Sequence, residues 1–241
     1  MTRARLRALF AIIVLVLGGA AVALAMIGRA PPPPPARPPA ERPVLLLLTS
    51  LPLMFGEHFS LEAGGSPALT ALETRYRVVP ISVTNEYELK RSRFLLLAHP
   101  PAQAPEDLVA LDSWVRGGGR VLLLADPLLE WPSERPPGDP LRPSPMFTDT
   151  GLLAHWGLRL DAPEQRGPER RKLGGYDVSA VSPGALHGRC AISGDRLVAH
   201  CRIGKGRATI VADADLVNVD SSDRGSRQNL DALLTELADL E

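Results

Sequence analysis

The sequence predicts an α/β domain: an open, mostly parallel sheet with helices on both faces. Three observations predict it. Four short apolar runs (Val44–Ser50, Val78–Val83, Phe94–Ala98 and Arg120–Ala125) have the length and continuity of strands buried on both sides. The segments between them carry helix-start signals, so the order reads β-α-β-α-β-α-β, which calls for a parallel sheet covered on both faces. The stretch from Arg93 to Pro127 reads as one complete β-α-β unit, and such units cross over right-handed.

Composition narrows the functional classes. The chain has 241 residues, with 27 basic and 27 acidic side chains. Zero net charge gives no electrostatic argument for nucleic acid, and none is expected as a partner. The 24 prolines cluster at Pro31–Pro43 and Pro127–Pro145, marking a linker and a long loop.

At the N-terminus, residues 1–7 form a basic tail with Arg3, Arg5 and Arg7. The uncharged stretch at 8–28 matches the ~20 residues that span a bilayer as a helix. It is expected to be an uncleaved single-pass anchor; a cleaved signal peptide, with Ala23-Leu24-Ala25 as its cleavage site, is the alternative. The denser arginine group precedes the span, which places the N-terminus in the cytoplasm and the main domain outside it, at the inner membrane. Residues 29–43 (PPPPPARPPAERP and its flanks) are expected to form a stiff polyproline spacer that holds the domain, residues 44–241, off the membrane.

Each element of the domain has its own signal. Ser66 and Pro67 are a good N-cap and first residue for a helix to about Arg75. Pro80 makes the Val78–Val83 strand short or an edge strand. Asn85–Arg91 reads as a short helix. In the central unit, Pro100, Pro101 and Pro105 end the strand, and Pro105 suits the first helical turn. Glu106 and Asp107 favour the helix N-terminus, Leu108, Leu111 and Val115 form one apolar stripe, and Gly117–Gly119 stop the helix. The 22 residues from Asp126 to Phe147 hold seven prolines and leave a central strand at its C-terminal end, where such sheets bind ligands; Trp131 is expected to pin this loop to the domain. A short helix at Asp149–Trp156 and a small strand at Leu158–Leu160 follow, then a charged, glycine-rich segment, Glu164–Gly175, read as a mobile surface loop. Leu186–Ile192 and Leu197–Ile203 flank Ser193-Gly194-Asp195 and read as a hairpin. Arg207–Ala212 is a strand entering Asp213-Ala214-Asp215. The last helix, about Ser226–Leu240, has Leu230, Leu233, Leu234 and Leu237 on its apolar face.

The two cysteines, Cys190 and Cys201, lie on opposite arms of the hairpin. With Asp195 and Arg196 at its tip they face each other, close enough for a cross-strand disulfide; two buried free thiols are the alternative. A disulfide would point to an oxidising compartment. The lone pair of cysteines lacks zinc-ligand spacing, so no metal is expected, and no cofactor either.

Catalytic signatures are missing from the sequence. It has no G-x-S-x-G elbow, and no P-loop or G-x-G-x-x-G between a strand and a helix. Strand ends nevertheless converge at the C-terminal edge of a parallel sheet. That edge would gather Thr49, Ser50, Glu57, His99, Asp126, Asp213 and Asp215 into a candidate ligand or partner site, with Trp131 on the loop beside it. As an enzyme, the domain would use Glu57, His99 and Asp126 on a metal or as acid and base. The competing expectation is that Asp126, Asp213 and Ser66 cap turns and helices, and that His99 is a satisfied loop residue.

Phe94–Ala98, His99-Pro100, Glu106, Gly118-Gly119-Arg120 and Asp126-Pro127 follow one another in a pattern that resembles the extracytoplasmic domain of auxiliary proteins of uncharacterised ABC-type transport systems, the gliding-motility-type subunit family. The segments Gly151–Gly157 and Gly204–Asn218 (GKGRATIVADADLVN) and the later Asn229 fit the same family. The resemblance covers about half of the chain. It implies a flavodoxin-like or class I glutamine amidotransferase-like fold without the amidotransferase nucleophile. It further implies a non-enzymatic, membrane-anchored role beside the permease and ATPase of a transporter. An amidotransferase-like or metal-dependent hydrolase of the cell envelope is the alternative.

Overall fold

The computed structural model describes residues 30–55, 65–219 and 223–241. The expected anchor at 8–28, and with it Glu57 and His58, lies outside the described residues. Among the described residues, no helix is long and apolar enough to cross a membrane.

Residues from Pro33 onward form one compact unit around a seven-stranded, mostly parallel sheet, in the order β2-β1-β3-β4-β11-β10-β9. The parallel part comprises β2 (Arg77–Pro80), β1 (Val44–Thr49), β3 (Phe94–Ala98), β4 (Arg120–Leu124) and β11 (Gly206–Val211). Two antiparallel strands, β10 (Val198–Ile203) and β9 (Ala191–Ile192), complete one edge. The apolar runs are continuous because both sheet faces are covered. Leu45, Leu47, Leu96, Leu122 and Leu124 point to one core, closed by α1 (Pro67–Glu73) and α5 (Arg224–Asp239) through Leu72, Leu233 and Leu237. Leu46, Leu48, Leu95, Leu97 and Leu123 point to the other. That core is closed by α2 (Glu86–Leu89), α3 (Pro105–Arg116) and α4 (Leu152–His155) through Leu89, Leu111, Val115 and Leu153.

The helix starts form where the capping residues stand. The Ser66 hydroxyl accepts from the Leu69 amide at 3.1 Å, the Asn85 amide oxygen from Glu88 at 2.9 Å and the Asp223 carboxylate from Ser226 at 2.9 Å. Pro80 ends β2 at the sheet edge, as its missing donor requires. At Gly206, β11 runs under the end of α3 so closely that a Cβ would stand 2.0 Å from the Val115 carbonyl oxygen; no side chain fits there.

Three expectations need correction. The segment read as a mobile loop contains β6 (Pro168–Leu173), paired antiparallel with β7 (Tyr176–Val181) around Gly174 and Gly175. β6 carries PERRKL and buries only Leu173, so its sequence has no apolar period; the ladder with β7 creates the strand. The first hairpin arm is also split. Its outer part, β8 (Ala185–Gly188), pairs with β5 (Leu158–Asp161) in a separate two-stranded sheet, and only β9 joins β10. Gly188, at φ 146°, marks the break. Finally, the second half of the proline segment is part of the domain. The Arg37 amide donates to Thr74 O at 2.9 Å, Arg75 donates to Pro35 O at 2.6 Å, and Pro39–Glu41 form a 3₁₀ turn.

The hairpin brings Cys190 and Cys201 together as expected. They form a disulfide with their Cα atoms 4.8 Å apart.

Candidate functional site

Of the residues expected at the strand ends, Asp126, Asp213 and Asp215 come together, mostly as acceptors for backbone amides, while Glu57 lies outside the described residues. Asp126, two residues beyond Leu124 at the end of β4, is fully buried. One carboxylate oxygen accepts from the Leu128 amide at 2.8 Å. The other accepts from Ala214 at 2.8 Å and Asp215 at 3.4 Å. It therefore shapes its own loop and ties it to the turn after β11. Asp213, also fully buried, accepts from Val181 at 2.7 Å and Leu216 at 2.8 Å, which caps the 3₁₀ turn Asp215–Val217 and holds the end of β7. Asp215 accepts from the Glu130 amide at 2.7 Å through Oδ2, while its buried Oδ1 has no partner.

Three carboxyls packed this way resist ionisation. Burial raises all three pKa values, and mutual repulsion adds to it: Asp126 acts on both Asp213 and Asp215. Asp213 is pushed well above the carboxylate range and Asp215 to about 7, in each case against the backbone donors that favour the anion.

A pH prediction follows for Asp215. Its folded pKa lies above the unfolded value, so its contribution to stability is fully present below about pH 4. It is lost as the pH rises towards 7. An asparagine keeps the acceptor for Glu130 and cannot ionise. Asp215→Asn is therefore expected to gain on the parent across that interval and to lead it by ~1–2 kcal/mol at pH 8. This is less than the full shift implies, because the exposed Glu130 beside it leaves the site near water. Urea unfolding of both proteins at pH 5 and pH 8 checks this; an unchanged difference would refute it.

His99 follows β3 in a left-handed conformation, φ 46°, with 1% of its surface exposed. Its Nε2 lies 2.9 Å from Ser144 O, an acceptor only, so Nε2 carries the proton. Nδ1 is buried without a partner, and burial lowers the imidazole pKa. The ring is a neutral pin between β3 and the proline-rich loop. On the other side, the Ser50 hydroxyl donates to His99 O at 2.6 Å and Thr49 to Ala98 O at 2.8 Å. These bonds bridge the gap between β1 and β3, the position where sheets of this order bind ligands. Among the described residues, a cavity between Thr84, Leu97, Pro100 and Phe147 measures about 20 Å³, room for about one water.

The loop from Asp126 to Phe147 is the cover. Its ends meet through Phe147 N to Asp126 O (2.7 Å) and Leu129 N to Pro145 O (2.9 Å), and Trp131 packs on the core below. It turns Leu141 and Met146 outward, 69% and 59% exposed. Two further residues join the cluster: Glu130, which no motif marks, and Asn229, which only the family resemblance singles out. Glu130 accepts from the Ser182 hydroxyl, and Ser182, in a left-handed conformation itself, receives the Gly167 amide. Asn229 accepts from Ser179 N and donates to Ser179 O and Leu216 O, locking α5 to β7 and the Asp215 turn. Among the described residues no His, Cys, Asp or Glu cluster has the geometry to hold a metal ion.

With this geometry established, similarity to known proteins adds the fold alone. No protein-family model matches the chain, and no curated protein matches it at a significant level. Among solved structures it is similar to the mmIFT52 N-terminal domain, with TM-score 0.52 and 11% identity over 80% of this chain and 97% of that one. It is likewise similar to the Cytoplasmic Protein STM3548 from Salmonella typhimurium, with TM-score 0.51 and 11% identity over 82% and 98%. The exo-beta-1,4-mannosidase Op5Man5 from Opitutaceae bacterium strain TAV5 matches at TM-score 0.48 and 17% identity over 83% of this chain. The chain spans about a third of that enzyme's length, 36%.

Proposed function

We propose that the chain is a non-enzymatic accessory component of an ABC-type transport system. In this reading, residues 8–28 hold it in the inner membrane and the domain lies outside the cytoplasm. Its partners are the permease subunit, met through the strand-end face, and, through the permease, the ATPase subunit. The parallel strands, in the order β2-β1-β3-β4-β11, fit the flavodoxin-like or amidotransferase-like fold of the family it resembles. The observation that carries the reading is the plugged strand-end edge. Asp126, Asp213 and His99 are spent on backbone bonds under a loop that presents Leu141 and Met146 outward. A hydrolase built on Glu57, His99 and Asp126 would need His99 and Asp126 open to substrate. The disulfide supports an oxidising compartment.

Isolation of the full chain from its own membranes in mild detergent tests the proposal: a permease or ATPase should accompany it. Leu141→Asp combined with Met146→Asp should reduce that recovery several-fold and leave the thermal midpoint within ~2 °C, as surface changes do. Recovery without either subunit, or unaffected by the double substitution, counts against it.

A further inference from the structure

The ribbon of β6 and β7 leaves one strand edge open. Antiparallel neighbours alternate between pairs that exchange backbone bonds and pairs that face away from each other. Ser179 and Val181 face away from β6: the Ser179 amide donates to Asn229 at 2.9 Å and the Val181 amide to Asp213 at 2.7 Å. Their partners across the ladder, Arg170 and Pro168, therefore face away from β7. Lys172, the next residue in that series, points its amide the same way and donates to the Asp195 carboxylate at 2.9 Å, at the tip of the β9–β10 hairpin. Pro168 has no amide to offer. The Arg170 N–H and carbonyl are left without a partner among the described residues.

Beside this edge lies an open pocket of about 460 Å³, lined by Glu164 and Gln165 ahead of β6, Glu169 and Arg171 on it, and Asp195 and Arg196 at the hairpin tip. Arg171 donates to the Asp195 carbonyl at 3.0 Å and to the Glu169 carboxylate, and its buried Nε has no acceptor. The Asp195 carboxylate is filled by the Ser193 hydroxyl and the amides of Leu197 and Lys172. Around the edge, the exposed side chains of Arg166, Arg170 and Arg196 have no hydrogen bond or ion pair among the described residues, against one such carboxylate, Glu164. Asp177, opposite Lys172 in the ladder, is paired with its Nζ at 2.8 Å. The excess of unmet donors calls for acceptors. A second copy of this chain does not supply them: β6 laid on its own copy would set Arg170 and Lys172 against their own kind, which is destabilising.

We propose that the free edge of β6 binds an extended segment of a partner protein with two consecutive acidic residues, which adds as a strand through the N–H and carbonyl of Arg170. Successive side chains of a strand point to opposite faces. One acidic side chain therefore meets Arg170 on the outer face, and the next enters the pocket towards Arg171 and Arg196. The backbone bonds supply the hold and the pocket the selectivity. Neither Leu141 nor Met146 lines this pocket, so the contact is separate from the one proposed for the permease and does not depend on it.

The test uses the full chain in mild detergent with a capped, labelled hexapeptide, Thr-Val-Glu-Asp-Val-Thr, and its counterpart with two lysines in place of the acidic pair. Binding is read by fluorescence anisotropy. Amide hydrogen exchange at Arg170 is read by NMR, with the Ser179 amide, held by Asn229, as internal reference. At about ten times its Kd the acidic peptide is expected to slow exchange at Arg170 about tenfold and to leave Ser179 unchanged. The basic peptide should not bind. Arg170→Pro removes the outward N–H without touching the ladder to β7, and should abolish binding. Arg170→Gln with Arg196→Gln keeps the backbone of β6 whatever the proline does to it, and should weaken binding about fivefold or more. No saturable binding of the acidic peptide below about 1 mM overturns the proposal. Equal binding of the two peptides, or binding that leaves exchange at Arg170 unchanged, overturns it as well. Protection of Arg170 that grows with protein concentration in the absence of peptide assigns the edge to a second copy and also overturns it.

Discussion

Asp126→Ala is expected to destabilise the domain by about 3 kcal/mol. Three backbone donors, the half-buried one of Leu128 and the buried ones of Ala214 and Asp215, lose their acceptor together. A buried donor left unsatisfied costs roughly 1–3 kcal/mol. The sum is reduced because Asp213 and Asp215 are relieved of a neighbouring carboxylate. For a domain of this size that is a fall of about 6–12 °C in thermal midpoint. Asp126→Asn should fall between the parent and the alanine variant, since one amide oxygen can replace only one of the two acceptor atoms. Thermal unfolding of the three proteins at pH 7 gives the order. If Asp126→Ala unfolds with the parent, the carboxylate is not a strut, and its burial would call for another role.

The second large effect is expected from the disulfide. Cys190 and Cys201 are separated by 11 in sequence. Closing a loop of that size restricts the unfolded chain enough to stabilise by ~2–3 kcal/mol. Replacing both with serine, or adding reductant, should lower the midpoint by about 4–12 °C. The loss should appear first at β9, because that two-residue strand holds to the sheet through β10 alone. Hydrogen exchange of the Cys190–Ile192 amides, faster in the variant than those of β4, would show it. Uniform acceleration through the sheet would contradict the local account.

Much of the architecture is legible in the chain because its signals are local. The β3-α3-β4 unit is bounded by Pro105 and Gly117–Gly119, and its strands are apolar throughout because helices cover both faces. Ser66, Asn85 and the two cysteines act within a turn or across one hairpin. The ribbon of β6 and β7 is not legible. PERRKL turns its charges to water, and its pairing with YDVSAV is set by the turn at Gly174 and by packing of β7 on α5. The strand-end site is half legible. That Asp126, Asp213 and Asp215 lie at one edge follows from parallel strands. That they serve the amides of Val181, Glu130 and each other's turns depends on contacts 32 to 89 residues apart, which no spacing records. The docking of Arg37 on Thr74 and Glu241 is equally silent.

The central claim is that the strand-end face is a docking surface for a transporter, with its polar side chains used internally. The most direct measurement places a photoreactive amino acid at position 141, on the outward side of the proline-rich loop, in the full chain within its own membranes. The account predicts a covalent adduct with a permease subunit, absent when the same group stands at position 172. No adduct with a permease subunit, or the same adduct from both positions, would contradict it.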